Sequence, residues 1–168
     1  MRLFVAICFS DEIKASLCTV CKNLKTQSLS GNFTRPENLH MTLAFIGESN
    51  RVASVKNAMQ QCAGAPFEIS LSGTGHFGDL WWVGIEKKPA LCALANRLRQ
   101  TLRADGFQID ARAFQPHITI ARQVVLEKAF EAKICAASML VTHISLMQSK
   151  RLDGKIHYTE LYRKQLLR

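Results

Sequence analysis

The pattern His, apolar, Thr, apolar occurs twice in this chain, as His40-Met41-Thr42-Leu43 and as His117-Ile118-Thr119-Ile120. Each copy lies in an apolar run with period-two alternation, Leu39 to Phe45 and Ile118 to Ala121, which predicts a β-strand. In a strand, residues i and i+2 face the same side, so each imidazole shares its face with a hydroxyl. Met41, Leu43 and Phe45, like Ile118 and Ile120, are expected on the opposite side, in a core. A fold for this sequence must bury one side of both strands and leave both His/Thr faces open. One His-x-Thr alone reads as an ordinary strand with a polar face. Two copies, each behind a proline-containing stretch (Arg35 to Asn38 and Phe114 to Pro116), point to a duplicated site.

The segments between the two copies also repeat. Arg2 to Phe9 reads as a buried strand, and Ser10 caps a helix with Asp11 and Glu12 in its first turn, ending near Thr26. Ser28 to Asn32 reads as a loop before the first His strand, which closes at Gly47. Ser49 or Asn50 caps a second helix with Val52, Val55, Ala58, Met59 and Cys62 on one face, and Gly64-Ala65-Pro66 ends it. Phe67 to Phe77 and Leu80 to Glu86 form a hairpin around Gly78-Asp79. A third helix runs from Pro89 towards Gly106, with Leu91, Leu94, Ala95, Leu98 and Leu102 inward and Arg97, Arg99 and Arg103 outward. After the second His strand come a short helix near Leu126 to Lys133 and a last hairpin, Met139 to Gln148 with Lys155 to Tyr162. The expectation is an α+β, bilobal duplicated fold, with two antiparallel sheets facing across a central cleft and helices on the outer faces. No stretch of linker composition divides the halves, so residues 1–168 read as one domain.

With 168 residues and 48% hydrophobic content, the chain is long and apolar enough for a packed core. Its net charge of +9 favours polyanionic partners such as RNA or nucleotides, although charge alone also keeps a protein soluble. The apolar stretch Leu3 to Phe9 is too short for an export signal and runs into Asp11 and Glu12, and no run reaches the length of a membrane span. The expectation is therefore a cytoplasmic protein without membrane contact, its six cysteines reduced; a monomer is the default expectation, on which the sequence itself is silent. Cys18-Thr19-Val20-Cys21 has the spacing of a zinc or redox pair, but no second pair accompanies it and Cys21 falls on an apolar helical stripe. Core packing is expected there, with no metal and no cofactor.

Two facing imidazoles suit paired acid–base work. With an ordinary pKa of about 6.5, one ring is neutral and takes a proton from water while the other, charged, gives one to a leaving oxygen. Thr42 and Thr119 can donate to the non-bridging oxygens of a phosphoryl group. A cyclic phosphodiester needs little more for ring opening. The residues do not say which histidine is acid and which is base, because the pair is symmetric.

Three stretches together resemble the two-histidine (2H) phosphoesterases: Arg2 to Ile7, Arg35 to Gly47, and Phe114 to Arg122. They are most similar to the RNA 2′,3′-cyclic phosphodiesterases, also named 2′-5′ RNA ligases. The resemblance implies a bilobal fold, hydrolysis of a 2′,3′-cyclic phosphate to a 2′-phosphomonoester, reversible 2′-5′ RNA ligation by the same pair with a ribose hydroxyl in place of water, and RNA ends or cyclic nucleotides as partners. It implies that His40 protonates the leaving 3′ oxygen and that His117 activates water. Arg122 matches an arginine that contacts substrate phosphate; strict alternation would instead turn it away from His117, as a surface charge, unless the strand bulges. Phe114 can stack on a base or pack in the core. Trp81 and Trp82 point to opposite faces, so one packs inward and the other is free to line a base site. His76, His143 and His157 lack a repeated partner and read as structural or solvated. Two rival functions remain: a module that binds RNA ends without turnover, and a metallohydrolase using His40, His117 and the cysteine pair.

Overall fold

The structure is a computed structural model that describes residues 1–62 and 64–167. The described residues form nine strands and three α-helices: β1 (Arg2–Cys8), α1 (Asp11–Gln27), β2 (Ser28–Phe33), β3 (His40–Glu48), α2 (Val52–Gln60), β4 (Phe67–Phe77), β5 (Leu80–Ile85), α3 (Pro89–Ala104), β6 (His117–Leu126), β7 (Ser138–Val141), β8 (His143–Leu152) and β9 (Lys155–Gln165). They form two antiparallel sheets. Sheet I has the order β3-β1-β8-β9, and sheet II the order β2-β6-β5-β4-β7. The two sheets touch along β3 and β6, the strands that carry the histidines.

Local sequence explains most of the elements. Ser10 accepts from the Ile13 N–H and caps α1, whose Ile13, Leu17, Val20 and Leu24 are buried against sheet II. Pro89 opens α3 and Gly106, at φ +90°, follows its end; the expected inner stripe from Leu91 to Leu102 is buried. α2 and α3 pack behind sheet I. Helix α1 leaves a sheet I strand and packs on sheet II, while α3 leaves a sheet II strand and packs on sheet I. The chain thus crosses between the sheets repeatedly and ties the lobes together.

Two expected segments differ. Ser28 to Asn32, read as a loop, is an edge strand paired with β6 through two register shifts. Its polar composition hides a pairing that only the partner strand supplies. No helix forms near Leu126 to Lys133: β6 runs to Leu126, and the chain beyond it is irregular up to β7. There the carbonyls of Ala132, Cys135 and Ala137 accept from Thr74 Oγ1 (2.8 Å), Ser16 Oγ (2.7 Å) and the Leu71 N–H (3.0 Å). These long-range bonds pair the carbonyls of the irregular segment with other parts of the fold. The Met139 segment likewise leaves the last hairpin and pairs with β4 as β7.

Both His strands carry a bulge at the same place. On β3, Thr42 faces Ala6 and Ala44 faces Val5, so Leu43 is the extra residue. On β6, Thr119 faces Trp82 and Ala121 faces Trp81, so Ile120 is extra. An extra residue reverses the alternation beyond it. Ala44 and Ala121 are therefore buried, and Phe45 and Arg122 are exposed. This corrects the expectation for Phe45, which stands outside the core.

Candidate active site

His40 and His117 are held in the same way. Each Nδ1 lies 2.7 Å from the carbonyl oxygen two residues earlier, of Asn38 and Gln115 respectively. A carbonyl only accepts, so each Nδ1 carries a proton and donates it, and each Nε2 is the ring nitrogen left for other partners. His40 Nε2 is 3.0 Å from Thr42 Oγ1, as the shared strand face requires. The turn before β3 is fixed from across sheet I, because the Asn38 side chain donates to the Ile156 carbonyl (3.0 Å) and Arg35 donates to the same oxygen. Thr34 closes the other flank, its N–H donating to the Ile120 carbonyl (2.9 Å) and its hydroxyl to that of Thr119 (3.1 Å).

The surroundings of the two rings differ. His40 is half-buried, with its centroid 4.8 Å from Phe4 and 5.1 Å from Tyr158, the latter at an 88° edge contact. Burial pushes its pKa below the ordinary value, and the bond to Asn38 only partly opposes this. His117 is exposed. Burial raises the pKa of the Tyr158 phenol above its ordinary value, and the charge of Arg122, brought to the open side of β6 by the bulge, partly opposes this. Arg2 acts on Tyr158 in the same sense, and its guanidinium lies 4.9 Å over the Phe45 ring.

Phe114 is 7% exposed, and the Arg99 guanidinium lies 5.1 Å over its ring. Of the two readings open for it, base stacking and core packing, the structure shows the second. Arg99, expected outward with Arg97 and Arg103, is half-buried and donates through Nε to the Leu43 carbonyl (2.9 Å), the carbonyl of the bulged residue. Trp81 is buried, with His76 stacked on it at 4.6 Å, and Trp82 lies on the side of Thr119. All six cysteines are free; the Cys21 thiol is pushed up to about 11 by burial and lies 4.0 Å from the Ile120 carbonyl. Among the described residues, no three His, Cys, Asp or Glu side chains gather as metal ligands.

Tyr158, Phe4 and Phe45 are the site residues that the sequence reading missed. Phe4 and Tyr158 reach His40 through tertiary packing. Phe45 had a local signal: the consecutive apolar residues Leu43-Ala44 break the alternation, as Ile120-Ala121 do before Arg122.

Such a duplicated pair, on touching strands of two sheets, has relatives. The sequence profile of the 2′-5′ RNA ligase superfamily matches residues 10–153. The chain belongs to this family. An RNA 2′,3′-cyclic phosphodiesterase of Archaeoglobus fulgidus is 34% identical over 130 residues, 73% of this chain and 72% of that one. The Escherichia coli (strain K12) protein of the same name is 32% identical over 170 residues, 96% and 94% of the two chains. E. coli LigT, solved in complex with 3′-AMP, matches the structure of this superfamily member with a TM-score of 0.89 at 28% identity, over 99% of this chain and 98% of that one.

Proposed function

We propose that this protein hydrolyses the 2′,3′-cyclic phosphate of an RNA end or a nucleotide to a 2′-phosphomonoester, using His40 and His117 as an acid–base pair without a metal. The observation that carries the reading is the matched anchoring of the two rings, which leaves two Nε2 atoms as proton carriers on adjoining strands. The names of the relatives support the substrate class.

In this reading His117 Nε2 takes a proton from water, the oxygen attacks phosphorus, the P–O3′ bond breaks, and His40 Nε2–H gives O3′ its proton. Thr42 and Thr119 donate to the non-bridging oxygens, and Arg122 supplies positive charge where the transition state is most anionic. Burial favours neutral His40 in the empty cleft. A phosphodiester anion beside the ring restores the protonated form, so His40 is charged as an acid once substrate binds. Residues 1–168 act as one unit and as a monomer, and the free thiols suit a reducing cytoplasm. No helix among the described residues is long and apolar enough to cross a membrane.

The test is incubation with uridine 2′,3′-cyclic phosphate in the presence of a chelator, with the product isomer identified. The expected product is the 2′-monophosphate. The 3′ isomer contradicts the assignment of the leaving oxygen, and no product at all leaves the RNA-end-binding module as the better reading.

A further inference from the structure

We propose that Asn38 is the positioning residue of the acid: its side chain latches the turn before β3 to the β8–β9 hairpin, and so aims the carbonyl that holds His40. The effect on the rate rests on the reading of His40 as the acid; the latch itself does not.

An asparagine in a turn ordinarily bonds the backbone of its own turn. Asn38 closes a single 3-10 turn, Pro36–Asn38, whose backbone serves itself through the Asn38 N–H to the Arg35 carbonyl (2.8 Å) and the Leu39 N–H to the Pro36 carbonyl (3.3 Å). The side chain is left for another partner. It belongs to a residue only 9% exposed, and its amide donates to the Ile156 carbonyl, 118 residues further along the chain. The carbonyl of the same residue accepts from His40 Nδ1. One residue therefore links a distant hairpin to the imidazole.

The accepting carbonyl belongs to an arm. β8 pairs with β1 as far as Ser149, opposite Arg2, whereas Ile156 is opposite Arg151, past the end of that ladder. The same strand brings Tyr158 against the His40 ring. The arm thus meets His40 at the ring edge, through Tyr158, and at Nδ1, through Ile156 and Asn38. Arg35, paired with Glu37 at 3.3 Å, is a second donor to the Ile156 carbonyl, so that oxygen keeps a partner when the Asn38 amide is removed. The second copy is held differently. There the Pro116 carbonyl accepts from the Ile85 N–H of β5 (3.1 Å), and the Gln115 side chain is exposed. The base is aimed by the backbone of its own sheet, the acid by a side chain.

Losing the latch has a definite chemical consequence. Once the Asn38–Leu39 peptide can rotate, the neutral ring carries its proton on either nitrogen. The bond to Asn38 favours the charged ring while burial opposes it, so without the bond His40 titrates lower still. The titratable side chains that face the ring from other strands are Cys8, opposite it on β1, and Tyr158 on β9. Burial raises both, so both stay uncharged where a histidine titrates. The charges of Arg2 and Arg122, which act on Tyr158, are the same in the variants below.

The imidazole nitrogen resonances of isotope-labelled histidine are followed by NMR across the histidine range, without substrate. In the wild type the neutral rings of His40 and His117 both carry the proton on Nδ1. In Asn38→Leu, a side chain of similar size without a donor, His40 gains an Nε2–H population and titrates at lower pH, while His117 is unchanged. With uridine 2′,3′-cyclic phosphate, kcat falls roughly ten-fold with KM little changed, and the alkaline limb of kcat/KM moves to lower pH. Asn38→Gln, which keeps the amide donor, recovers part of the tautomer and of the rate. An unchanged His40 tautomer in Asn38→Leu overturns the latch. A His40 that titrates higher overturns it too, because the side chain then only buried the ring. Equal changes at His117 do the same, since Asn38 would then support the fold rather than one ring. A shifted tautomer with wild-type kcat upholds the latch and removes His40 from the reaction; a wild type that hydrolyses nothing removes the phosphodiesterase reading, and the NMR result still decides the latch.

Discussion

β3 and β6 follow the same path: His, a buried residue, Thr, a bulged residue, a buried Ala, then an exposed side chain. At that last position β3 has Phe45 and β6 has Arg122. The ring of His40 is packed between Phe4 and Tyr158, while that of His117 is open to solvent. Duplication thus supplies two equivalent backbones, and the side chains around them remove the equivalence. A pair that is symmetric in sequence becomes, in the fold, one ring packed among aromatic side chains and one ring open to solvent. That difference is what a reaction with one acid and one base requires.

The largest effects come from the shared part. His40→Ala and His117→Ala are each expected to lower kcat/KM roughly 10²–10⁴-fold with the fold intact by circular dichroism. Residues that act as a unit are not additive, so the double variant should be hardly slower than the slower single one. A double variant whose loss is the product of the two singles would break the pairing.

Next comes the position where the halves diverge. Arg122→Ala removes a charge-assisted contact to the phosphoryl oxygens, of about 1.5–3 kcal/mol, or roughly 10–150-fold in kcat/KM. Phe45→Leu meets no developing charge and should raise KM a few-fold with kcat little changed. Equal losses in kcat for both variants would mean that the bulge does not sort charge to one side.

The pH dependence sharpens the same contrast. His40 must be protonated as the acid, and burial lowers its pKa in the empty cleft. Activity is therefore lost as pH rises through that lowered value, and the alkaline limb of kcat/KM should lie below the ordinary histidine range. Bound anion holds the proton, so the alkaline limb of kcat lies higher. Tyr158→Ala relieves the burial and should move the kcat/KM limb up. A Tyr158 variant that moves the acidic limb instead would make His40 the base.

Much of this was legible before any coordinates. The two strands, their His/Thr faces, the capped α1 and the stripe of α3 follow from periodicities that a single strand or helix imposes on itself. What escaped depends on partners. The bulges at Leu43 and Ile120 exist only against the registers of β1 and β5. β2 is a strand only because β6 offers it an edge, and the segment after Leu126 is held by bonds from Thr74, Ser16 and Leu71, all distant in sequence. Alternation holds up to Leu43 and Ile120 and breaks at the next residue in both copies, which takes Phe45 out of the core and turns Arg122 to the side that strict alternation would have denied it.

The smallest effects concern what holds the two bulges. Arg99 is the eleventh residue of α3 and Cys21 the eleventh of α1, and each points to a bulged carbonyl, of Leu43 and Ile120 respectively. The likeness ends there. Arg99 donates to Leu43 at 2.9 Å and also covers Phe114, three residues before His117, so it joins both His strands. The Ile120 carbonyl already accepts from the Thr34 N–H, and the thiol at 4.0 Å adds little. Arg99→Ala leaves the Leu43 carbonyl without its donor, and by the usual penalty should cost about 1–3 kcal/mol in urea unfolding. It should also lower kcat several-fold through loosened geometry at His40, with KM little changed. Arg99→Lys, which can restore one bond but not the planar contact with Phe114, should recover only part of that rate. Cys21→Ala should cost under ~1 kcal/mol and leave kcat unaltered, because its bulge keeps a backbone donor. If Cys21→Ala slowed the reaction more than Arg99→Ala, the bulge of β6 would be the weaker of the two, and the hydrogen bond from Thr34 would not be what holds it.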